Sequence, residues 1–178
     1  MRRGERCRPW TASEERRLAE IAGTMPRREV ARALRRSNEA VRQKASRMGV
    51  SLRHWEPRCA CTCPACGMAR TALRASGTCR PCELRALVAR AESETAEAME
   101  RLAPGDRAVY ASTETRLQSA PDPRPAPPRT EGMTPYRAAR ARDAYAEALE
   151  RWEVRTLTRL LKARRRRLER MIKKISNQ

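Results

Sequence analysis

The sequence predicts a mainly α-helical protein assembled from small modules, one of them held by cysteines. Apolar residues recur at helical spacing near both ends, at Leu18, Ile21 and Ala22 and again at Val154, Leu157 and Leu161. Six of the seven cysteines fall within residues 59–82. Composition argues against a single large core: 34% of the residues are charged, 3% are aromatic and there is no Phe. Much of the 40% hydrophobic fraction is Ala, which buries little area. Modules of this kind need a metal or a partner to supplement their cores.

Residues 1–56 form the first module. Thr11 with Glu14 three positions later is a capping-box pattern that starts a helix. A second helix begins around Pro26, because proline is tolerated in a first turn, and its apolar face is Val30, Ala31 and Leu34. After the turn Arg35-Arg36, Ser37 is the N-cap of a third helix, and Gly49 stands where a C-terminal cap belongs. Within that helix Val41, Ala45 and Met48 share a narrow inward sector. Glu39, Arg42, Gln43, Ser46 and Arg47 point the other way. Arginine pairs bidentately with guanine, glutamine with adenine, and glutamate accepts from the cytosine amino group. Asn38, Lys44 and Arg53 flank this face, and Arg27 and Arg28 begin the second helix, all suited to phosphate oxygens.

Trp10-Thr11, then Glu14 and Glu15, then EVARALRRSNEAVRQKASRMGVSLR at 29–53 together resemble a Myb/SANT-like helix-turn-helix of the bacterial and phage type. The resemblance covers residues 8–53. It implies that Trp10 belongs to the core and that the helix at 37–48, carrying Ala40-Val41-Arg42, reads the major groove of double-stranded DNA. Only one of the family's usual core tryptophans is present, with Ile21 or Val30 filling that space. Some SANT-like domains bind protein, which is the alternative for this module.

Residues 57–104 hold the cysteine module and a following helix. Cys63-x2-Cys66 and Cys79-x2-Cys82 supply four thiolates as two knuckles, the donor set of one tetrahedral Zn²⁺, with the twelve-residue gap expected to form a hairpin. Gly67 and Gly77 allow the backbone to turn. CPACG…CRPC resembles a zinc ribbon. Four thiolates leave no open coordination position, so the site is expected to be structural. A redox CxxC would require a surrounding βαβ pattern, which is not visible. Cys59 and Cys61 have three open roles: replacing Cys63, joining Cys7 and His54 in a second site, or remaining spare thiols. His54, the only histidine, is expected on the surface. From Glu83, Leu84, Leu87, Val88, Ala91, Met99 and Leu102 follow helical spacing to Pro104-Gly105.

Residues 105–134 are expected to be a Pro-rich linker, with five prolines in SAPDPRPAPPRT at 119–130, although 106–118 have no clear pattern. Residues 135–178 form a long, basic, amphipathic helix. Val154, Leu161, Leu168 and Ile175 repeat every seven residues, with Leu157 and Met171 three places later, and Arg164 interrupts this coiled-coil seam. The stripe has three uses open to it: a homodimer contact, docking on a larger partner, or holding a nucleic-acid backbone. A membrane surface fits poorly, because the charges wrap around the helix.

The formal charge of +19 resolves into +9 over 1–58, +2 over 59–130 and +8 over 131–178. Two basic ends favour a polyanionic partner, nucleic acid first. MRRGERCRPW is followed by no apolar h-region, and no run approaches the ~18 apolar residues of a membrane span. A cytoplasmic location, in a bacterial cell or phage-infected host, is expected, where thiols stay reduced. An enzyme is not expected: there is one His, no Ser/His/Asp set and no glycine-rich phosphate loop. The expected function is sequence-specific DNA binding by a transcriptional regulator. The alternative is a DNA-packaging or recombination accessory, small-terminase-like, that oligomerises through its C-terminal helix.

Overall fold

The computed structural model describes residues 8–117 and 123–177. It is mainly helical: α1 (Ala12–Ile21), α2 (Arg27–Ala33), α3 (Asn38–Arg47), α4 (Arg80–Arg101), α5 (Pro104–Leu117) and α6 (Pro135–Ile175), with strands β1 (Cys61–Thr62) and β2 (Ala69–Arg70) between α3 and α4. The strands pair antiparallel, Cys61 opposite Arg70 and Thr62 opposite Ala69. Two units divide the chain. One comprises Met1–Pro57 with Pro128–Arg142, the other Arg58–Pro127 with Asp143–Gln178. The region expected as separate at 135–178 therefore contributes to both.

In the first unit the local signals act as expected. The Thr11 side chain accepts from the Glu14 backbone and Glu14 accepts from the Thr11 N–H at 3.0 Å, closing the capping box. Ser37 caps α3 by accepting from the Ala40 N–H at 3.2 Å. The core is Leu18, Val30, Ala31, Leu34, Val41 and Ala45, with Trp10, Ile21, Met25, Met48 and Leu52 packed at its edge. Each fully buried Leu or Val there contributes roughly 1.5–3 kcal/mol. Arg35 takes φ 51°, so the α2–α3 turn places a non-glycine residue in the left-handed region.

Two features of this unit depend on distant residues. The half-buried Arg36 bonds Glu14 at 2.7 Å and the Pro9 carbonyl at 2.7 Å, and its guanidinium lies 4.9 Å from the Trp10 ring centre. It thereby anchors the N-terminal segment to the α2–α3 turn. Gly23, at φ 76°, is the other: a Cβ there would meet the Arg53 carbonyl at 3.0 Å and Pro135 Cβ at 3.5 Å. Only glycine admits this close passage of 51–53 and the start of α6.

In the second unit α4 and α6 share two apolar clusters. Leu84, Val88 and Ala91 pack with Leu161, flanked by Leu87, Val154, Leu157 and Leu160. Ala98 and Leu102 pack with Met171, flanked by Met99, Tyr110, Leu168 and Ile175. The heptad stripe of α6 is thus covered by helices of its own chain. Arg164, the interruption in the seam, ion-pairs with Glu92 of α4 at 3.3 Å.

The cysteine region and linker depart from expectation in three places. The hairpin flanks the first knuckle instead of filling the gap between the knuckles, which is a loop closed by the Arg74 N–H to the Thr78 carbonyl at 2.8 Å. The second knuckle is the first turn of α4: Cys79 is its N-cap and Pro81 lies within that turn, where a missing N–H costs nothing. Residues 104–117, at the head of the expected linker 105–134, form helix α5. Arg107 donates to the Glu100 and Leu102 carbonyls at 2.9 and 3.2 Å, satisfying the end of α4. Cys7 and residues 118–122 lie outside the described residues.

Candidate functional site

The Sγ atoms of Cys63, Cys66, Cys79 and Cys82 all lie within 4.8 Å of one another. Cys63 and Cys82 are 3.9 Å apart, and Cys66 and Cys79 3.8 Å. A tetrahedron with metal–sulfur bonds of ~2.3 Å has edges of roughly 3.8 Å, so the four sulfurs already span a metal site. The first pair sits on a tight turn: the Gly67 N–H reaches the Cys63 carbonyl at 2.8 Å, and Gly67 takes φ 67°. The second pair projects from the first turn of α4.

The surroundings prepare these thiols unequally. Burial opposes ionisation of Cys63, yet the backbone N–H groups of Cys79, Cys66 and Ala65 bring its pKa down to about 6. Burial likewise opposes ionisation of Cys66, but the Met68 N–H and the Arg70 guanidinium lower it. Burial pushes the Cys79 thiol up to about 12 and raises Cys82 as well. A bound dication lets all four ionise together, and the donor set fits a closed tetrahedral metal site.

Beneath the knuckle, α6 presents carboxylates from an otherwise basic helix. The buried Asp143 accepts from the backbone N–H groups of Arg58 and Cys59, both at 3.0 Å. The buried Glu150 accepts from the Thr71 N–H and hydroxyl, both at 3.1 Å. Arg70, 1% exposed, lies 2.6 Å from Glu153 and donates to Cys66 Sγ at 3.6 Å. Arg85 likewise joins Glu153, at 2.5 Å, to Cys82 Sγ, at 3.6 Å.

This arrangement places the leading cysteines. Cys59 is buried, and that burial, with Asp143, Glu150 and Glu147 nearby, raises its pKa to about 11. It is held as a neutral thiol. Cys61 lies on β1. Neither belongs to the four-sulfur cluster. His54, expected on the surface, is half-buried.

On the first unit, Arg27, Arg28, Arg42, Ser46 and Arg53 line one open groove with Pro26, Val50 and Leu52. Asn38, Glu39, Gln43 and Arg47 lie exposed on α3. Glu39 organises that surface: it accepts from Arg42 Nε at 2.9 Å and from the Gln43 amide at 3.0 Å. These two partners, Arg42 first, hold its carboxyl at about 2. Lys44 differs from the others. It is half-buried, paired with Glu15 and 6.0 Å from the Trp10 ring centre, so its ammonium is directed at its own module.

Arg70, Arg36 and the acidic positions of α6 are the structural residues that sequence reasoning passed over. The available signal was the spacing of Asp143, Glu147, Glu150 and Glu153, which falls on one helical face of a strongly basic segment. No family model, no curated protein and no solved structure matches the chain.

Proposed function

We propose that the protein is a sequence-specific DNA-binding protein, a transcriptional regulator of a bacterium or phage, working in the cytoplasm and without catalytic activity. One observation carries this reading: α3 exposes Arg42, Gln43 and Arg47 beside a groove lined by Arg27, Arg28, Arg42 and Arg53. Such a helix can enter the major groove while the surrounding arginines meet phosphates. The Myb/SANT-like pattern at 8–53 and the +19 charge agree with it.

In this reading Glu39 holds Arg42 and Gln43 in a common orientation until bases replace it. Zn²⁺ is the metal that best matches four thiolates with no open position; held by Cys63, Cys66, Cys79 and Cys82, it would brace the second unit. The internally covered stripe of α6 favours a regulator over an oligomeric packaging subunit.

Selection of bound sites from random duplexes tests the proposal. Arg42→Ala and Gln43→Ala are expected to broaden the selected profile, while Arg28→Ala weakens binding to every sequence alike. Unchanged profiles in both reader variants would overturn the assignment of α3.

A further inference from the structure

We propose that the DNA-contacting surface extends past α3 onto a ladder of arginines and aromatic rings, Arg53–Tyr136–Trp55–Arg140, that grips the phosphates flanking the recognised site. This rests on the DNA-binding reading above and extends it from Arg53 to Trp55, Tyr136 and Arg140, which neither the helix-turn-helix pattern nor the groove includes.

All four residues belong to the first unit. The Arg53 guanidinium lies 4.9 Å from the centre of the Tyr136 ring. Tyr136 meets Trp55 edge-to-face, 5.9 Å between centroids at 76°. The Arg140 guanidinium then lies 5.6 Å from the Trp55 ring centre. Tyr136 and Arg140 are one turn apart on α6, so the helix sets the spacing of the second and fourth rungs.

Three facts give this ladder a polyanion as its occupant. Arg53 belongs both to the ladder and to the groove of Arg27, Arg28 and Arg42, so the two surfaces are continuous. Both ladder arginines are exposed, whereas Tyr136 and Trp55 are half-buried supports. Three cations of this unit are instead paired internally, Arg36 with Glu14, Arg42 with Glu39 and Lys44 with Glu15. Among the described residues, no carboxylate ion-pairs with Arg53 or Arg140. A guanidinium held over a ring keeps its N–H edge available, with its rotamer already restricted. Such a group suits phosphate oxygens and carries no base information.

The test measures duplex binding by the full, metal-loaded chain across a salt series, with hydroxyl-radical footprints. Arg140→Gln is expected to make the slope of log K against log salt shallower by about 0.9, and Arg53→Gln with Arg140→Gln by roughly twice that. The footprint should shorten on one side of the site while the selected sequence profile stays the same. Arg140→Lys should restore the slope, and Arg140→Glu should weaken binding further than Arg140→Gln. If Arg140→Gln and Arg140→Glu both leave slope and footprint at wild-type values, the ladder is internal packing only and the inference fails, with the reading of α3 intact. A wild-type chain that binds no duplex overturns both. A ladder effect alongside an unchanged profile in Arg42→Ala and Gln43→Ala supports the ladder and removes the α3 assignment.

Discussion

Arg70 Nη1 lies 2.6 Å from Glu153 Oε2, joining the end of the hairpin to the middle of α6. Arg70 is 1% exposed and its other terminal nitrogen reaches Cys66 Sγ, so the guanidinium is flanked by a carboxylate and a metal-site sulfur. The carboxylate contact is an ion pair without aligned hydrogen-bond geometry, since Glu153 Oε2 accepts no hydrogen bond there. Burying a guanidinium is tolerable only where such anions surround it.

Glu153→Ala is therefore expected to destabilise the metal-loaded chain by about 3 kcal/mol, because it leaves Arg70 buried beside a single anionic partner. Urea unfolding of the variant against wild type measures this. Arg85, on the exposed side of the same carboxylate, should cost under about 1 kcal/mol when replaced by Ala.

One metal ion per chain is expected, released by a thiol-reactive mercurial and absent in Cys79→Ser. Cys59→Ser and Cys61→Ser should retain full stoichiometry, since neither sulfur belongs to the cluster. Because the ligands bind as thiolates, acidification should release the metal. Metal analysis of the purified variants decides between one site and a shared or second one.

Glu14 is lowered from 4.5 to about 2, first by its hydrogen bond with Arg36 and next by the Thr11 N–H. A carboxyl depressed in the folded state stabilises above its unfolded pKa, and that stability is lost as pH falls through the folded value. The first unit should accordingly weaken between about pH 4.5 and about pH 2, and Glu14→Gln should flatten that dependence. Thermal melts across the acid range provide the check.

Gly23 and Gly49 give a paired comparison. Both have positive φ, 76° and 67°, but a Cβ on Gly49 meets nothing within 4 Å whereas one on Gly23 meets the Arg53 carbonyl at 3.0 Å. Gly49→Ala should cost about 1 kcal/mol and Gly23→Ala at least about 2 kcal/mol, since the latter adds a backbone collision to the left-handed penalty. Equal losses in the two variants would show that the passage at Gly23 relaxes.

What was legible in the sequence was local. The Thr11–Glu14 box, the Ser37 cap and the inward triads of α2 and α3 depend on neighbours three or four positions away, and the core uses those residues. The four metal-site cysteines were legible because CxxC spacing is itself a geometric constraint. The hairpin was misplaced because Pro81 in the second knuckle also starts a helix, and the helical signal took precedence over the turn. Arg36 and Arg70 were not legible, and Asp143, Glu150 and Glu153 showed only as one acidic helical face with no sign of what they meet. Their partners lie between 22 and 85 positions away, beyond any periodic pattern.

The sulfur cluster joins residues at most 19 positions apart, Cys63 to Cys82, whereas α6 reaches back 85 positions to Arg58 through Asp143. Short loops close early and long ones late, and chains emerge from the ribosome N-terminus first. The metal can thus be captured as soon as Cys82 is synthesised, well before Asp143 exists. Until Leu161 follows, Leu84, Val88 and Ala91 present an apolar helix face to the cell with nothing of their own chain to cover it. The nascent protein therefore passes through a sticky, half-built stage in which its metal site is finished and its second helical layer is not.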